Sequence, residues 1–165
     1  MAGRITKAEQ QLEPDPRFQD KVLSRFINCM MKGGNKATAS RMVYRAFDEI
    51  EKRMKKDNAG IEDAKNAMDV FRQACDRVRP AVEVRSKRVG GANYQVPIQV
   101  NRRRQQSLTF RWIIAAVREE KGKPAHIRLA KELMDAARGE GKAVQTRENT
   151  HRMAEANKAF AHFAW

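Results

Sequence analysis

Eight lysines and arginines lie between positions 77 and 104, against one acid, Glu83. They are Arg77, Arg79, Arg85, Lys87, Arg88, Arg102, Arg103 and Arg104. The whole 165-residue chain has a formal net charge of +14, so half of it sits in about a sixth of the length. The chemistry open to such a cluster is neutralisation of phosphates with release of their counterions. Guanidinium groups suit it because each presents a planar fork of donors to an anionic oxygen pair. Arg102-Arg103-Arg104 stands at a predicted helix start, where the helix dipole disfavours cations, so an external phosphate is the natural partner. Arg77 and Arg79 end a helix, where cations are favoured without any ligand. Arg85, Lys87 and Arg88 fit either an RNA contact or the charged protection of an exposed strand.

A second set, Lys32, Lys36 and Arg41, flanks Gly33-Gly34. A glycine pair lets backbone approach RNA closely, and an ordinary solvated turn competes with that reading. The spacing is not that of a P-loop. His126, His151, His162, Cys29 and Cys75 show neither a C-x-x-C nor an H-x-x-x-H pattern, so the chain is expected to hold no metal and no cofactor. No activated nucleophile or carboxylate pair stands out, which weighs against an enzyme. Glu119 and Glu120 have lysines and arginines nearby and read as salt-bridge partners. Tyr94 could stack on a base or pack on the fold.

Positioning these groups requires a mainly α fold. Val82 and Val84 alternate with Glu83 and Arg85, and Tyr94, Val96, Ile98 and Val100 alternate with polar residues or Pro97. Gly90-Gly91 between the runs suits a tight turn, so 81–101 reads as a β-hairpin arm. Around it, apolar residues recur at helical spacing. Val22, Leu23, Phe26, Ile27, Met30 and Met31 mark a first helix. A second runs over 37–56 with Ala39, Val43, Ala46, Phe47, Ile50 and Met54 inward. Ala64, Ala67, Met68, Phe71, Cys75 and Val78 mark a third, stopped by Pro80. A fourth opens near Arg102 with Leu108, Trp112, Ala115 and Ala116 inward. Ile127, Ala130, Leu133, Met134 and Ala137 mark a fifth, and Met153, Ala156 and Phe160 a sixth starting near Glu148. The expectation is a six-helix bundle with a projecting basic hairpin between the third and fourth helices. It forms one domain over 1–165, with an extended N-terminal segment over 1–19.

Composition sets outer bounds. Hydrophobic residues make up 41% and aromatics 7%, so the core rests on aliphatics, alanine and methionine. No apolar run approaches the roughly 18 residues a spanning helix needs. The first residues look like neither signal nor transit peptide. Cys29 and Cys75 sit in helical apolar patterns and read as buried free thiols in a reducing compartment.

The residues also resemble a known family. Val82-Glu83-Val84-Arg85-Ser86, Arg88-Val89-Gly90-Gly91-Ala92 and Tyr94-Gln95-Val96-Pro97 form one block. Thr150-His151-Arg152-Met153-Ala154-Glu155-Ala156-Asn157-Lys158-Ala159-Phe160-Ala161-His162 forms the other. Together with Pro14-Asp15-Pro16, Phe26-Ile27-Asn28 and Arg41-Met42-Val43-Tyr44, they resemble small-subunit ribosomal protein seven in its bacterial or organellar form. The resemblance implies binding to the 3′ major domain of small-subunit rRNA and nucleation of head assembly. It implies a hairpin directed toward the mRNA exit path and the exit-site tRNA. It further implies neighbours among the head proteins and the eleventh small-subunit protein, and for some bacterial members binding to their own operon mRNA. It adds His151 and Arg152 as candidate RNA contacts, and a cytoplasmic or organellar ribosome as location, with no membrane. The chain departs from the family pattern in three places. Its N-terminus is charge-balanced, its first loop has one cation fewer, and residues 54–66 look longer than the family needs.

Two other classes use similar residues. An architectural DNA-binding protein also carries a cationic β-arm and an inserting proline, but Pro97 lies in the strand body rather than at the tip. A nucleic-acid-processing enzyme would need a metal or nucleophile that the sequence does not display.

Overall fold

In the computed structural model, residues 11–56 and 64–163 are described. Asp57-Asn58-Ala59-Gly60, whose residue types predict a turn, most of the longer 54–66 stretch, the first ten residues and Trp165 lie outside them. Among the described residues, six α-helices and one hairpin follow in order. They are α1 (Lys21–Met30), α2 (Lys36–Lys56), α3 (Ala67–Val78), β1 (Val82–Val89), β2 (Ala92–Gln99), α4 (Arg102–Glu119), α5 (Ala125–Arg138) and α6 (Lys142–Ala156), ending in a 3-10 helix over Lys158–Phe163. The mainly α architecture, with the hairpin between the third and fourth helices, is the one the sequence implied.

Helix α5 lies at the centre, against α2, α3, α4 and α6. Its Leu129, Ala130, Leu133, Ala136 and Ala137 are buried, and the alanines let neighbouring helices approach closely. Three fully buried rings join α1, α3 and α4. Phe26 meets Phe71 and Phe110 edge-on, with centroids 5.3 Å apart in both pairs. Side chains close the helix starts. Asp20 Oδ1 accepts the Leu23 N–H at 2.8 Å, and Asn101 Oδ1 accepts the Arg104 N–H at 2.9 Å.

Gly90 and Gly91 have φ of 58° and 89°, the positive pair a two-residue hairpin turn needs. That turn sets the register, with Val89 opposite Ala92, Lys87 opposite Tyr94 and Glu83 opposite Ile98. The hairpin is not bare. Tyr94 packs on Phe160 and Phe163 of the 3-10 helix, with centroids 5.0 and 5.3 Å away. A hairpin is marginal alone, and the C-terminal segment supplies part of its missing apolar cover.

Several expected details are corrected. Helix α6 starts at Lys142 rather than near Glu148. Its first turn is capped from another helix, since Glu132 Oε1 on α5 accepts the Ala143 N–H at 2.8 Å. That cap cannot be read from local sequence. On α6 the residue turned inward is Ala154, while Met153 is 51% exposed. On α4, Ala115 is exposed and Trp112 only half-buried; Phe110, Ile113, Ile114 and Val117 fill the interior instead. Val22 is exposed, and Cys29 is exposed while Cys75 is buried. Burial pushes the Cys75 thiol up to about 12, so it stays protonated and unreactive.

Candidate nucleic-acid interface

The charged cluster divides by position. Arg79, Arg102 and Arg103 border one open polar cleft of about 650 Å³, together with Arg25, Gln105 and Gln106. Three elements build it. Helix α1 contributes Arg25, the residue after α3 contributes Arg79, and the first turns of α4 contribute the rest. The α4 start also brings its backbone donors and the positive end of its dipole to the same side. Arg79 Nη2 meets Asp76 Oδ1 at 2.8 Å, but both are largely exposed, so the pair restrains the guanidinium rather than consuming it. Four guanidiniums around a solvent-open cleft can hold a folded stretch of anionic backbone. The sequence pattern did not point to Arg25. It lies inside an amphipathic helix far from the basic stretch, and only packing of α1 beside α4 brings it in.

Arg104 turns the other way. Its Nε donates to Glu83 Oε2 at 2.9 Å, and Arg85 Nη2 pairs with Glu83 Oε1. Glu83 is only 7% exposed, so the hairpin's one acid is spent tying the base of β1 to α4. Lys87 is also engaged by the fold, since its Nζ donates to the Phe163 carbonyl at 2.8 Å. Arg88 stands exposed on the opposite face of the hairpin.

The remaining candidates are separate. Arg77 is exposed, and its carbonyl accepts a hydrogen bond from Arg147 Nη1. Lys32, Lys36 and Arg41 are exposed around the first loop, where Gly33 and Gly34 take φ of 60° and 76°. Lys32 also borders a groove of about 420 Å³ lined by Met30, Met31 and Met42. His151 is half-buried, and its Nε2 accepts the Ala81 N–H at 3.2 Å. Burial first, then the neighbouring Arg147, holds its pKa below the ordinary value, which keeps the acceptor neutral. Arg152 is exposed on the same helix. Two further cations serve helix ends. Arg118 Nη2 donates to the Met30 carbonyl at 3.2 Å, and Arg128 Nη1 to the Val117 carbonyl at 2.8 Å.

Among the described residues no group of three or more His, Cys, Asp or Glu side chains could hold a metal ion. No helix among them is long and apolar enough to cross a membrane.

The profile of the family described as ribosomal protein S7p/S5e matches residues 2–158. Small ribosomal subunit protein uS7 of Rhodopirellula baltica is 55% identical over 163 residues, 99% of each chain. Its counterpart in Hyphomonas neptunium is 48% identical over 165 residues, and that in Methylobacterium radiotolerans 47%, each spanning 100% of both chains.

Proposed function

The chain belongs to the ribosomal protein S7p/S5e family, and on that premise we propose that it is an RNA-anchoring component of the head of the small ribosomal subunit. As a member of a family of ribosomal structural proteins it is not an enzyme. It acts as one domain over 1–165, binds the 3′ major domain of small-subunit rRNA and seeds folding of the head. The hairpin then lies toward the mRNA exit path and the exit-site tRNA, beside other head proteins and the eleventh small-subunit protein. Binding to its own operon mRNA would use the same surface. The expected location is the cytoplasmic ribosome of a bacterium.

The observation that carries this reading is the cleft bordered by Arg25, Arg79, Arg102 and Arg103. It puts cationic forks and a helix start in one concave surface, as a compact RNA backbone requires. Lys32, Lys36 and Arg41 on the first loop, and Arg77, Arg88 and Arg152 elsewhere, extend the footprint at single points. Arg104, Arg85 and His151 shape the surface from beneath through their contacts with Glu83 and Ala81. The architectural DNA-binding reading yields to the family assignment. The decisive measurement is binding of the full chain to a transcript of the 3′ major domain, beside co-sedimentation with small subunits. Equal affinity for that transcript and for duplex DNA at one salt concentration would refute the proposal.

A further inference from the structure

A second concave surface lies at the far end of α4 from the arginine cleft. At a rise of about 1.5 Å per residue, about 22 Å of helix separates Arg102 in the cleft from Val117 in this groove. The groove of about 420 Å³ is floored by Met30 and Met31 from the end of α1, Ala39 and Met42 from α2, and Val117 from α4. Met30 is buried, while Met31 and Met42 are half-buried and show part of their side chains to solvent. The rim is cationic. Lys32 and Arg118 are exposed and Arg128 half-buried, and among the described residues that line the groove none is Asp or Glu. Two of these cations are built into the walls. Arg118 Nη2 donates to the Met30 carbonyl at 3.2 Å and joins α4 to α1. Arg128 Nη1 donates to the Val117 carbonyl at 2.8 Å and joins α5 to α4. The walls are thus set before anything binds.

We propose that this groove is a docking site for a neighbouring protein of the small ribosomal subunit, one that inserts apolar side chains from a carboxylate-bearing segment. This assignment rests on the ribosomal reading above and gives the fold a protein-facing surface apart from its RNA-facing one. The floor decides the class of partner. RNA is gripped through phosphate charge, or through bases stacked on aromatic rings. No aromatic ring lines this groove, and sugar and phosphate offer no apolar group to fill a floor of thioethers and methyls. Apolar side chains of a protein do fill it. Methionine suits such a floor because its unbranched, polarisable chain moulds to the group it meets. Buried apolar anchors in a preformed pocket are where protein interfaces gain most of their affinity. The rim decides the partner's charge. Each wall arginine keeps its full positive charge after donating to a carbonyl, and Lys32 adds an ammonium where the first-loop footprint meets the groove. With no acid in the lining to offset them, these groups favour carboxylates beside the inserted side chains and disfavour a basic segment.

Methionine oxidation by a brief peroxide pulse, followed residue by residue, tests this in three states of the full chain. They are the free protein, its complex with the 3′ major domain transcript, and small subunits reconstituted from purified components. Met31 and Met42 should oxidise at similar rates in the first two states and several-fold more slowly in the third. Protection by the transcript alone would make RNA the occupant and overturn the proposal. So would unprotected Met31 and Met42 in the complete subunit. A photoreactive methionine analogue at position 42 should crosslink to a subunit protein, and crosslinks to rRNA alone would again overturn it. Met31→Ser with Met42→Ser should bind the transcript like the parent, yet compete several-fold less well with it for places in reconstituted subunits. Met31→Leu with Met42→Leu keeps the floor apolar and should compete like the parent. An equal loss in the leucine pair would show that apolar filling is not what the groove supplies. Scaled to each variant's own transcript affinity, Met42→Glu should compete less well than Met42→Lys, because its carboxylate would face those of the partner. The same or the opposite order would overturn the acidic partner. Any of these failures with transcript binding intact removes this inference alone. A parent that neither binds the transcript nor co-sediments with small subunits removes the ribosomal reading and this one together.

Discussion

Arg104 Nε donates to Glu83 Oε2 at 2.9 Å, which joins the first turn of α4 to the base of the hairpin. Three consecutive arginines thus have two jobs, because helical rotation separates neighbours by about 100°. Arg102 and Arg103 face the cleft, and Arg104 faces a nearly buried carboxylate. Replacing Arg104 by Gln should cost about 1 kcal/mol of stability, between an exposed pair and a buried one. Any loss of RNA affinity should follow from a displaced hairpin, with no change in salt slope. Urea unfolding beside a salt titration tests both halves. Parent-like stability with a reduced slope would move Arg104 into the RNA footprint.

The cleft arginines should give the opposite signature. Arg25→Gln, Arg79→Gln, Arg102→Gln and Arg103→Gln are each expected to reduce the magnitude of the salt slope by about one, with weakening that is similar across RNA sequences. Arg102→Gln should leave the free protein as stable as before or slightly more so, since it removes a cation from the positive end of α4. A parent-like slope in the quadruple variant would make this cleft a solvated surface.

Glu132 should behave as a cap rather than as a charge. Burial raises its pKa above the ordinary carboxylate value, and it is only 8% exposed. Glu132→Gln keeps an oxygen for the Ala143 N–H and should be as stable as the parent at neutral pH. Glu132→Ala removes the acceptor and should cost about 0.5–2 kcal/mol, as other lost caps do. A folded pKa above the unfolded one makes this group's contribution largest below about pH 4, and it declines as pH rises through the folded value. Gly141 is constrained by the same contact. A Cβ there would meet Glu132 Oε1 at 2.7 Å and the Ala136 nitrogen at 3.1 Å, so Gly141→Ala should lose about 1–3 kcal/mol. Thermal melts of the three variants provide the check.

How far the sequence could be read follows from where each signal resides. The hairpin was legible because period-2 alternation and Gly90-Gly91 are local, and the turn fixes the register. The buried face of α2 was legible because its apolar residues keep one helical period throughout. Helix α6 was misplaced because its cap comes from α5, and Gly141 carries no side chain to announce it. The inward face of α4 was missed in part. Phe110, Ile113, Ile114 and Val117 form a broad apolar run in which periodicity alone does not choose a face. Charge located Arg79, Arg102 and Arg103, but could not show that Arg104 and Lys87 turn inward to Glu83 and Phe163. Those partners are set by packing between distant segments.

His151 makes the entry to the hairpin pH-sensitive. Its neutral Nε2 accepts the Ala81 N–H, and a protonated ring would set two donors against each other. The folded pKa is depressed, so the unfolded chain takes up the proton first. This stabilisation is complete above about pH 6.5 and fades as pH falls through the depressed folded value. The parent should lose stability on mild acidification relative to His151→Gln, which can accept the same hydrogen bond without titrating. Amide exchange at Ala81 is the direct readout. A pH-independent difference between the two proteins would separate His151 from the hairpin's anchoring.

Asp15 ties the N-terminal segment to α2 more firmly than its place among prolines suggests. It is 2% exposed, accepts the Tyr44 hydroxyl at 2.7 Å, and accepts the Arg17 and Phe18 N–H groups at 3.1 Å each. Arg17 then reaches Asp48 at 2.7 Å and covers the Phe18 and Tyr44 rings. Tyr44→Phe removes one charge-assisted bond and should cost about 1.5–3 kcal/mol, while Asp15→Ala strands several donors and should cost more. Burial, then the hydrogen bond to Asp15, pushes the Tyr44 phenol up to about 12. A raised folded pKa means the contribution is whole below about pH 10 and is lost as pH rises through about 12. The stability gap between parent and Tyr44→Phe should therefore stay constant from neutral pH to about 10 and close above it. The double variant Asp15→Asn with Tyr44→Phe should lose less than the sum of the single losses, because the two share one bond. Strict additivity would show that Asp15 holds the segment through its backbone turn alone.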